Sequence, residues 1–146
     1  MRDHRCYAWL VVCAFWPLDP VVVVRAQPVP NGAEFQVNTY TTGDQGFPAL
    51  ARDSNGDFVV VWRSSVLTAS SIRGQGFRAD GSHAGGESQV NTYTNGGSGQ
   101  PDVASTGAGG FIATWMSSLS SGGDTSDASI QAQRYDASGA VGGRFS

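Results

Sequence analysis

The sequence predicts an all-β protein made of two four-stranded antiparallel repeat units. The first observation is a repeated hexapeptide, Gln-Val-Asn-Thr-Tyr-Thr, which occupies residues 36–41 and returns at residues 89–94. The second is that the same offset of 53 residues carries Trp62 onto Trp115. The third is that no window after the first 26 residues has helical periodicity. A tandem repeat of strand-forming segments therefore sets the architecture.

The first repeat contains four segments typical of strands. Residues 35–40 alternate apolar and polar side chains, and a short second segment, residues 48–52, begins with a proline. Asn55-Gly56 is typical of a tight hairpin turn. Phe58–Trp62 is a continuous apolar run, which indicates a strand buried on both faces. Residues 72–78 are the fourth segment, and a turn then leads into the next copy.

The second repeat follows the same order, with Phe111–Trp115 as its apolar run. The loop after Trp115 is five residues longer, so that Ile130 corresponds to Ile72 at an offset of 58. Insertions in a Gly/Ser/Asp-rich loop cost little closure entropy. The sequence predicts a signal peptide at 1–26, a linker at 27–33, repeat units at 34–86 and 87–143, and the start of a third repeat at 144–146.

The first 26 residues resemble a secretory signal. Residues 1–5 are basic, Cys6–Trp16 is apolar, and Val24 and Ala26 stand at positions −3 and −1 of a cleavage site before Gln27. Prolines and an aspartate interrupt the apolar stretch, which argues against a membrane span. We expect a cleaved signal peptide and a secreted or cell-surface protein, with an uncleaved anchor and a misassigned start codon as the alternatives.

Composition excludes several classes of function for the chain after residue 26. Both cysteines lie in the signal segment, so neither a disulfide framework nor a thiolate metal site is available. The remainder carries six arginines, no lysine and ten acidic residues. A mildly acidic chain without clustered basic residues argues against binding to nucleic acid or to anionic membrane surfaces.

Four strands in about 50 residues is the content of one propeller blade. We therefore interpret the repeats as blades of a β-propeller-like array, in which each sheet is covered by the sheet before it and the sheet after it. The predicted core residues are Phe58, Val60, Trp62, Phe111, Ile112 and Trp115. Propellers close with roughly four to eight blades. Two blades indicate a fragment of a longer protein, with assembly of several chains or a small sandwich as the alternatives.

The repeat also resembles a known one. Its pattern reads Gly-x-Glu-x-Gln-Val-Asn-Thr, then Pro and Ala, then Gly-x-Phe, three residues and Trp, then Ile-x-x-Gln-x-aromatic. This pattern is similar to a tandem β-propeller-type repeat of long secreted or surface bacterial proteins, and the resemblance covers nearly all of residues 34–146. It implies further copies of the repeat as partners, and it implies no activity.

The sequence offers few candidates for chemistry. Asp53, Asn55 and Asp57 place oxygen atoms at alternating positions, as a calcium loop does, but a hairpin turn explains the same residues without a metal. Calcium is the one cofactor that this pattern admits. Glu34 and Glu87 occupy equivalent repeat positions, which favours a structural role over a catalytic pair. No residue is assigned to catalysis.

These observations predict a non-catalytic repeat module for binding or adhesion, with glycans or surface proteins as ligands. Part of an extracellular propeller-type hydrolase and a purely structural spacer are the alternatives. The Asn residues at 38 and 91 are expected to form local hydrogen bonds. Two repeats leave two sheet faces uncovered, so we expect self-association or low stability of the isolated chain.

Overall fold

The structure, a computed structural model, describes residues 29–94, 96–107, 109–118, 128–136 and 139–140. Those residues form eight strands and no helix, so the predicted all-β class is confirmed. The described residues from 34 onward belong to one compact unit, which contains all the strands that they form, and residues 29–33 lie outside that unit. The predicted signal peptide and the predicted start of a third repeat lie outside the described residues.

The first sheet contains β1 (Asp44–Arg52), β2 (Phe58–Val66), β3 (Ala69–Phe77) and β4 (His83–Gln89), in that order. Each strand is antiparallel to its neighbour along the chain. The predicted turn between β1 and β2 contains Gly56 at a φ of 95°. A side chain at Gly56 would place its Cβ 2.9 Å from the Cβ of Ala79, so both the conformation and the space favour glycine there.

The second sheet contains β5 (Ser98–Gly107), β6 (Gly110–Ser117), β7 (Ser129–Asp136) and β8 (Gly139–Ala140), again in chain order. Its register repeats that of the first sheet, because Trp115 pairs with Gln131 as Trp62 pairs with Arg73. β8 has two residues, which pair with the end of β7.

A bulge recurs at the start of each sheet. The register of β1 against β2 shifts between Gly46 and Ala49, and the register of β5 against β6 shifts between Gly99 and Asp102. Phe47 and Gln100 occupy the same repeat position and have φ values of 54° and 50°. A proline follows each of them, and because proline cannot donate a ladder hydrogen bond, an irregular register suits that position.

The prediction of a strand at residues 35–40 is wrong, because none of these six residues is in a strand. The fourth strand of the first sheet is β4, at residues 83–89, which crosses from the first sequence repeat into the second. A strand needs a neighbouring strand to satisfy its backbone groups. β4 finds that neighbour in β3, whereas the equivalent residues 30–36 have no such partner among the described residues.

Each sheet has two faces that we name by their tryptophan. The front face carries the tryptophan, and the back face carries the residues that alternate with it along the strands. On the first sheet, the front face holds Val60, Trp62 and Phe77, and the back face holds Val59, Val61 and Ile72.

The back face of the first sheet packs against the front face of the second sheet. One buried cluster contains both sets of side chains, with Val90 from the connecting segment among them: Ala51, Val59, Val61, Ile72, Val90, Val103, Ala113 and Trp115. Among the described residues, this front-to-back packing forms the core between the sheets.

Candidate interaction surfaces

The segment that connects the two sheets holds them together through its backbone and one amide side chain. Val90 N donates to Ile72 O at 2.8 Å, and Ile72 N donates to Asn91 Oδ1 at 2.8 Å. Asn91 is 2% exposed, and its Nδ2 donates to Ser98 Oγ at 3.2 Å. Asn91 therefore joins the third strand of one sheet to the first strand of the next.

Asn38 and Asn91 each make one equivalent hydrogen bond, and their other hydrogen bonds differ. In both, Nδ2 donates to the carbonyl two residues later, at 2.9 Å for Tyr40 and 2.8 Å for Tyr93. The predicted local hydrogen bonding is therefore confirmed for both residues. Asn38 Oδ1 accepts from the exposed Gln36 Nε2 at 3.4 Å, whereas Asn91 Oδ1 accepts from the buried backbone amide of Ile72 at 2.8 Å.

Glu87 clamps the segment in front of the first sheet. Its Oε2 accepts from Thr39 N at 2.7 Å, from Thr39 Oγ1 at 2.9 Å and from Tyr40 N at 3.0 Å. Its Oε1 pairs with Arg73 Nη1 at 3.1 Å, and the Arg73 guanidinium lies 4.6 Å from the centre of the Tyr40 ring. The side chain of Glu87 is 4% exposed. We call these four residues the Glu87 clamp.

The pKa of Glu87 reflects that arrangement. Burial raises the pKa of the carboxyl, but the backbone amides of Tyr40 and Thr39, the Thr39 hydroxyl and the charge of Arg73 together outweigh burial. The pKa of Glu87 is therefore lower than that of an ordinary glutamate. Glu34, at the equivalent repeat position, is exposed.

A groove of about 540 Å³ opens between the two sheets near the end of β3. Gly74 and Gly76 line it from the first sheet, and Phe111 and Tyr135 line it from the second. The two rings are stacked, with centroids 4.6 Å apart. Tyr135 Oη donates to Val90 O at 2.9 Å, and burial raises the pKa of this phenol. Ser88, Gln89 and Ser105 add uncharged polar groups to the walls, and three aspartates add carboxylates: Asp53, Asp57 and Asp136.

A second pocket, of about 260 Å³, lies on the front face of the first sheet. Val37, Asn38, Pro48, Val60 and Trp62 are among its lining residues. The indole Nε1 of Trp62 donates to Gln45 Oε1 at 3.0 Å. The pocket is mostly apolar and open, and we call it the front pocket.

The structure places the three candidate metal ligands in the β1–β2 turn. Asp53 Oδ1 accepts from Asn55 N at 2.8 Å and from Asp57 N at 3.1 Å. Asp57 Oδ1 accepts from Ala79 N at 2.9 Å, and Asn55 is exposed. In the described part of the chain, no group of three or more acidic, histidine or cysteine residues is placed to hold a metal ion. The two aspartates stabilise turns.

The predicted core residues divide into two classes. Val60, Trp62 and Trp115 are buried, at 7%, 3% and 3% exposure. The half-buried residues are Phe58, Phe111 and Ile112. Phe58 stacks on Phe77 with ring centroids 4.9 Å apart, whereas Ile112 lies on the back face of the second sheet.

The glutamine of the Ile-x-x-Gln motif has a structural explanation. Gln75 is 1% exposed, and its Nε2 donates to Gly76 O at 2.8 Å and to Gly85 O at 3.1 Å. Those carbonyls lie where the register of β3 against β4 shifts, so the amide satisfies groups that the ladder leaves open. Gln133 repeats the first bond, to Arg134 O at 3.2 Å.

No family model, curated protein or solved structure matches this chain. The part of the chain that the structure describes contains no helical segment that could span a membrane.

Proposed function

We propose that this protein is a secreted or cell-surface module without catalytic activity, whose sheets stack as propeller-like blades and which serves in binding or adhesion. The observation that carries the proposal is that sheet packing uses repeated residues. Trp115 and Asn91, at the junction between the sheets, correspond to Trp62 and Asn38 in the first copy. A junction built from repeated positions suits an array of like units.

The groove between the sheets supports a role in binding. Its volume falls in the range of small-ligand sites, which combine apolar walls with a few polar groups. The stacked pair of Phe111 and Tyr135 offers an aromatic surface, and Ser88, Gln89 and Ser105 offer uncharged donors and acceptors. Three aspartates, Asp53, Asp57 and Asp136, also line the groove, and the hydroxyl groups of a sugar can donate hydrogen bonds to their carboxylates. Acceptors for hydroxyl groups beside an aromatic surface match the chemistry of a neutral sugar, whereas the same carboxylates would repel an anionic ligand. The proposed ligand is therefore a neutral glycan.

Filling the groove is expected to abolish glycan binding. Ser88→Trp places a large side chain at an exposed position of the groove wall and removes no buried contact. Ala69→Trp is the matched control, since it adds the same side chain at an exposed position at the other end of the first sheet. Binding to an array of immobilised neutral glycans should be kept by the wild type and by Ala69→Trp, and lost by Ser88→Trp.

Two results would contradict the proposal. One is an absence of binding by the wild-type chain both to the glycan array and to whole cells. The other is cleavage of a bound glycan, measured as released reducing ends, which would favour the hydrolase alternative.

A further inference from the structure

The packing between the two sheets uses one back face and one front face. The back face of the first sheet is covered by the front face of the second, and the contact centres on Ile72, which is 0% exposed. The two remaining faces are the back of the second sheet and the front of the first. Because the two sheets are equivalent repeats, the back of the second sheet corresponds to the covered back of the first sheet. The front of the first sheet likewise corresponds to the covered front of the second.

The back face of the second sheet presents an isoleucine at the central position. Ile130 corresponds to Ile72 and is 74% exposed. The pairing of Met116 with Ile130 repeats the pairing of Arg63 with Ile72, so the peptide group of Ile130 has the same orientation in its sheet. Ile130 is thus placed as Ile72 is, and it lacks a covering sheet among the described residues.

The front face of the first sheet has the surface that would contact Ile130. Within the chain, Ile72 is held by Val90 and Asn91 in front of Trp115. The equivalent residues Val37, Asn38 and Trp62 line the front pocket. At the edge of this face, Leu50 is 59% exposed, whereas its counterpart in the second sheet, Val103, is 9% exposed because the first sheet covers it.

We propose that two copies of this chain associate head to tail, with Ile130 of one copy seated against the front pocket of the other. Ile130 N donates to Asn38 Oδ1 of the second copy, and Ile130 O accepts from its Val37 N, as Ile72 does within the chain. The inference rests on the stacking in the proposed function and names the partner as a second copy. Because the two surfaces differ, the contact is heterologous and leaves one free face of each kind.

Three differences between the first repeat and the second make this contact weaker than the one inside the chain. Ala132 replaces Gly74, where a Cβ would lie 3.2 Å from Val90 Cγ2, so the partner's valine must shift by a few tenths of an ångström. Thr114 replaces Val61, and Asp102 replaces Ala49, which adds polar groups to the face. The association is therefore expected to depend on concentration.

Sedimentation velocity of the full chain over a wide range of concentrations tests the proposal. The wild type should form larger species as the concentration rises. Ile130→Asp and Leu50→Asp, which place a charge on the back face and on the front face respectively, should each weaken association about tenfold or more. Leu67→Asp is the matched control, because Leu67 is 99% exposed in the turn between β2 and β3, and it should associate as the wild type does.

Mixing the two impaired variants identifies the head-to-tail arrangement. Ile130→Asp keeps an intact front face and Leu50→Asp keeps an intact back face, so an equimolar mixture should form a one-to-one dimer and nothing larger. A wild type that stays monomeric, an Ile130→Asp variant that associates normally, or a mixture that stays monomeric would overturn the proposal. The glycan array separates the two claims, because Ile130→Asp leaves the groove between the sheets intact.

Discussion

Replacing Trp115 by alanine is expected to lower the free energy of unfolding by about 3–5 kcal/mol, the cost of a large cavity in a packed core. Trp115 is 3% exposed and lies in the cluster that joins the two sheets. Small domains are stable by about 5–15 kcal/mol, so this single change removes a large share of the total. Urea denaturation followed by circular dichroism measures the loss as a lower midpoint.

The control for Trp115 is its neighbour on the same strand. Thr114 lies on the back face of the second sheet, where it is half-buried, and Thr114→Ala should cost less than about 1 kcal/mol. Equal losses for the two variants would show that the front face of the second sheet is no better packed than its back face, which contradicts the packing described above.

Replacing Glu87 by alanine is expected to lower the free energy of unfolding by about 1–3 kcal/mol, the range for leaving hydrogen-bonded polar groups without a partner. The ion pair itself adds little to this loss, because Arg73 keeps 26% of its side chain exposed to water. The change leaves the amides of Thr39 and Tyr40 without their acceptor. Glu34→Ala removes the repeat-equivalent glutamate from an exposed position and should change stability by less than about 0.5 kcal/mol. Similar losses of stability in the two variants would contradict this description of the clamp.

The Glu87 clamp also predicts a dependence on pH. The pKa of Glu87 is lower in the folded chain than in the unfolded chain, so the carboxylate stabilises the fold above its unfolded pKa. That contribution is lost as the pH falls through the folded pKa. The stability of the wild type should therefore fall more steeply in acid than that of Glu87→Gln. Parallel curves for the two proteins would show that the carboxylate charge contributes nothing.

Repeat equivalence predicted the class of fold and the correspondence of the strands. The offset that relates Trp62 to Trp115 also relates the bulges at Phe47 and Gln100. The predicted turn at Asn55-Gly56 was recognisable because its conformation depends on local residue types. These features could be derived because they depend on neighbours in sequence or on the repeat itself.

The fourth strand could not be derived from local pattern. Residues 35–40 alternate as a strand does and form none, whereas β4 contains Gly85-Gly86 and forms a strand beside β3. Pairing with an available edge therefore outweighed local propensity. The contacts of the Glu87 clamp could not be predicted from the sequence either, because Glu87 and Thr39 are 48 residues apart in the chain. The signal that the sequence offered was a glutamate at the equivalent position of each repeat, Glu34 and Glu87. That signal indicated a structural role, but it did not identify the residues that Glu87 contacts.

Front-to-back stacking of the sheets is tested most directly by the three isoleucines of the chain, Ile72, Ile112 and Ile130. Their methyl signals can be recorded by NMR in dilute solution with a soluble paramagnetic agent, which broadens methyl groups that water reaches. We expect strong broadening of Ile130, intermediate broadening of Ile112 and protection of Ile72. Broadening of Ile72 equal to that of Ile130 would mean that the second sheet does not cover the first, and it would contradict the packing on which both proposals depend.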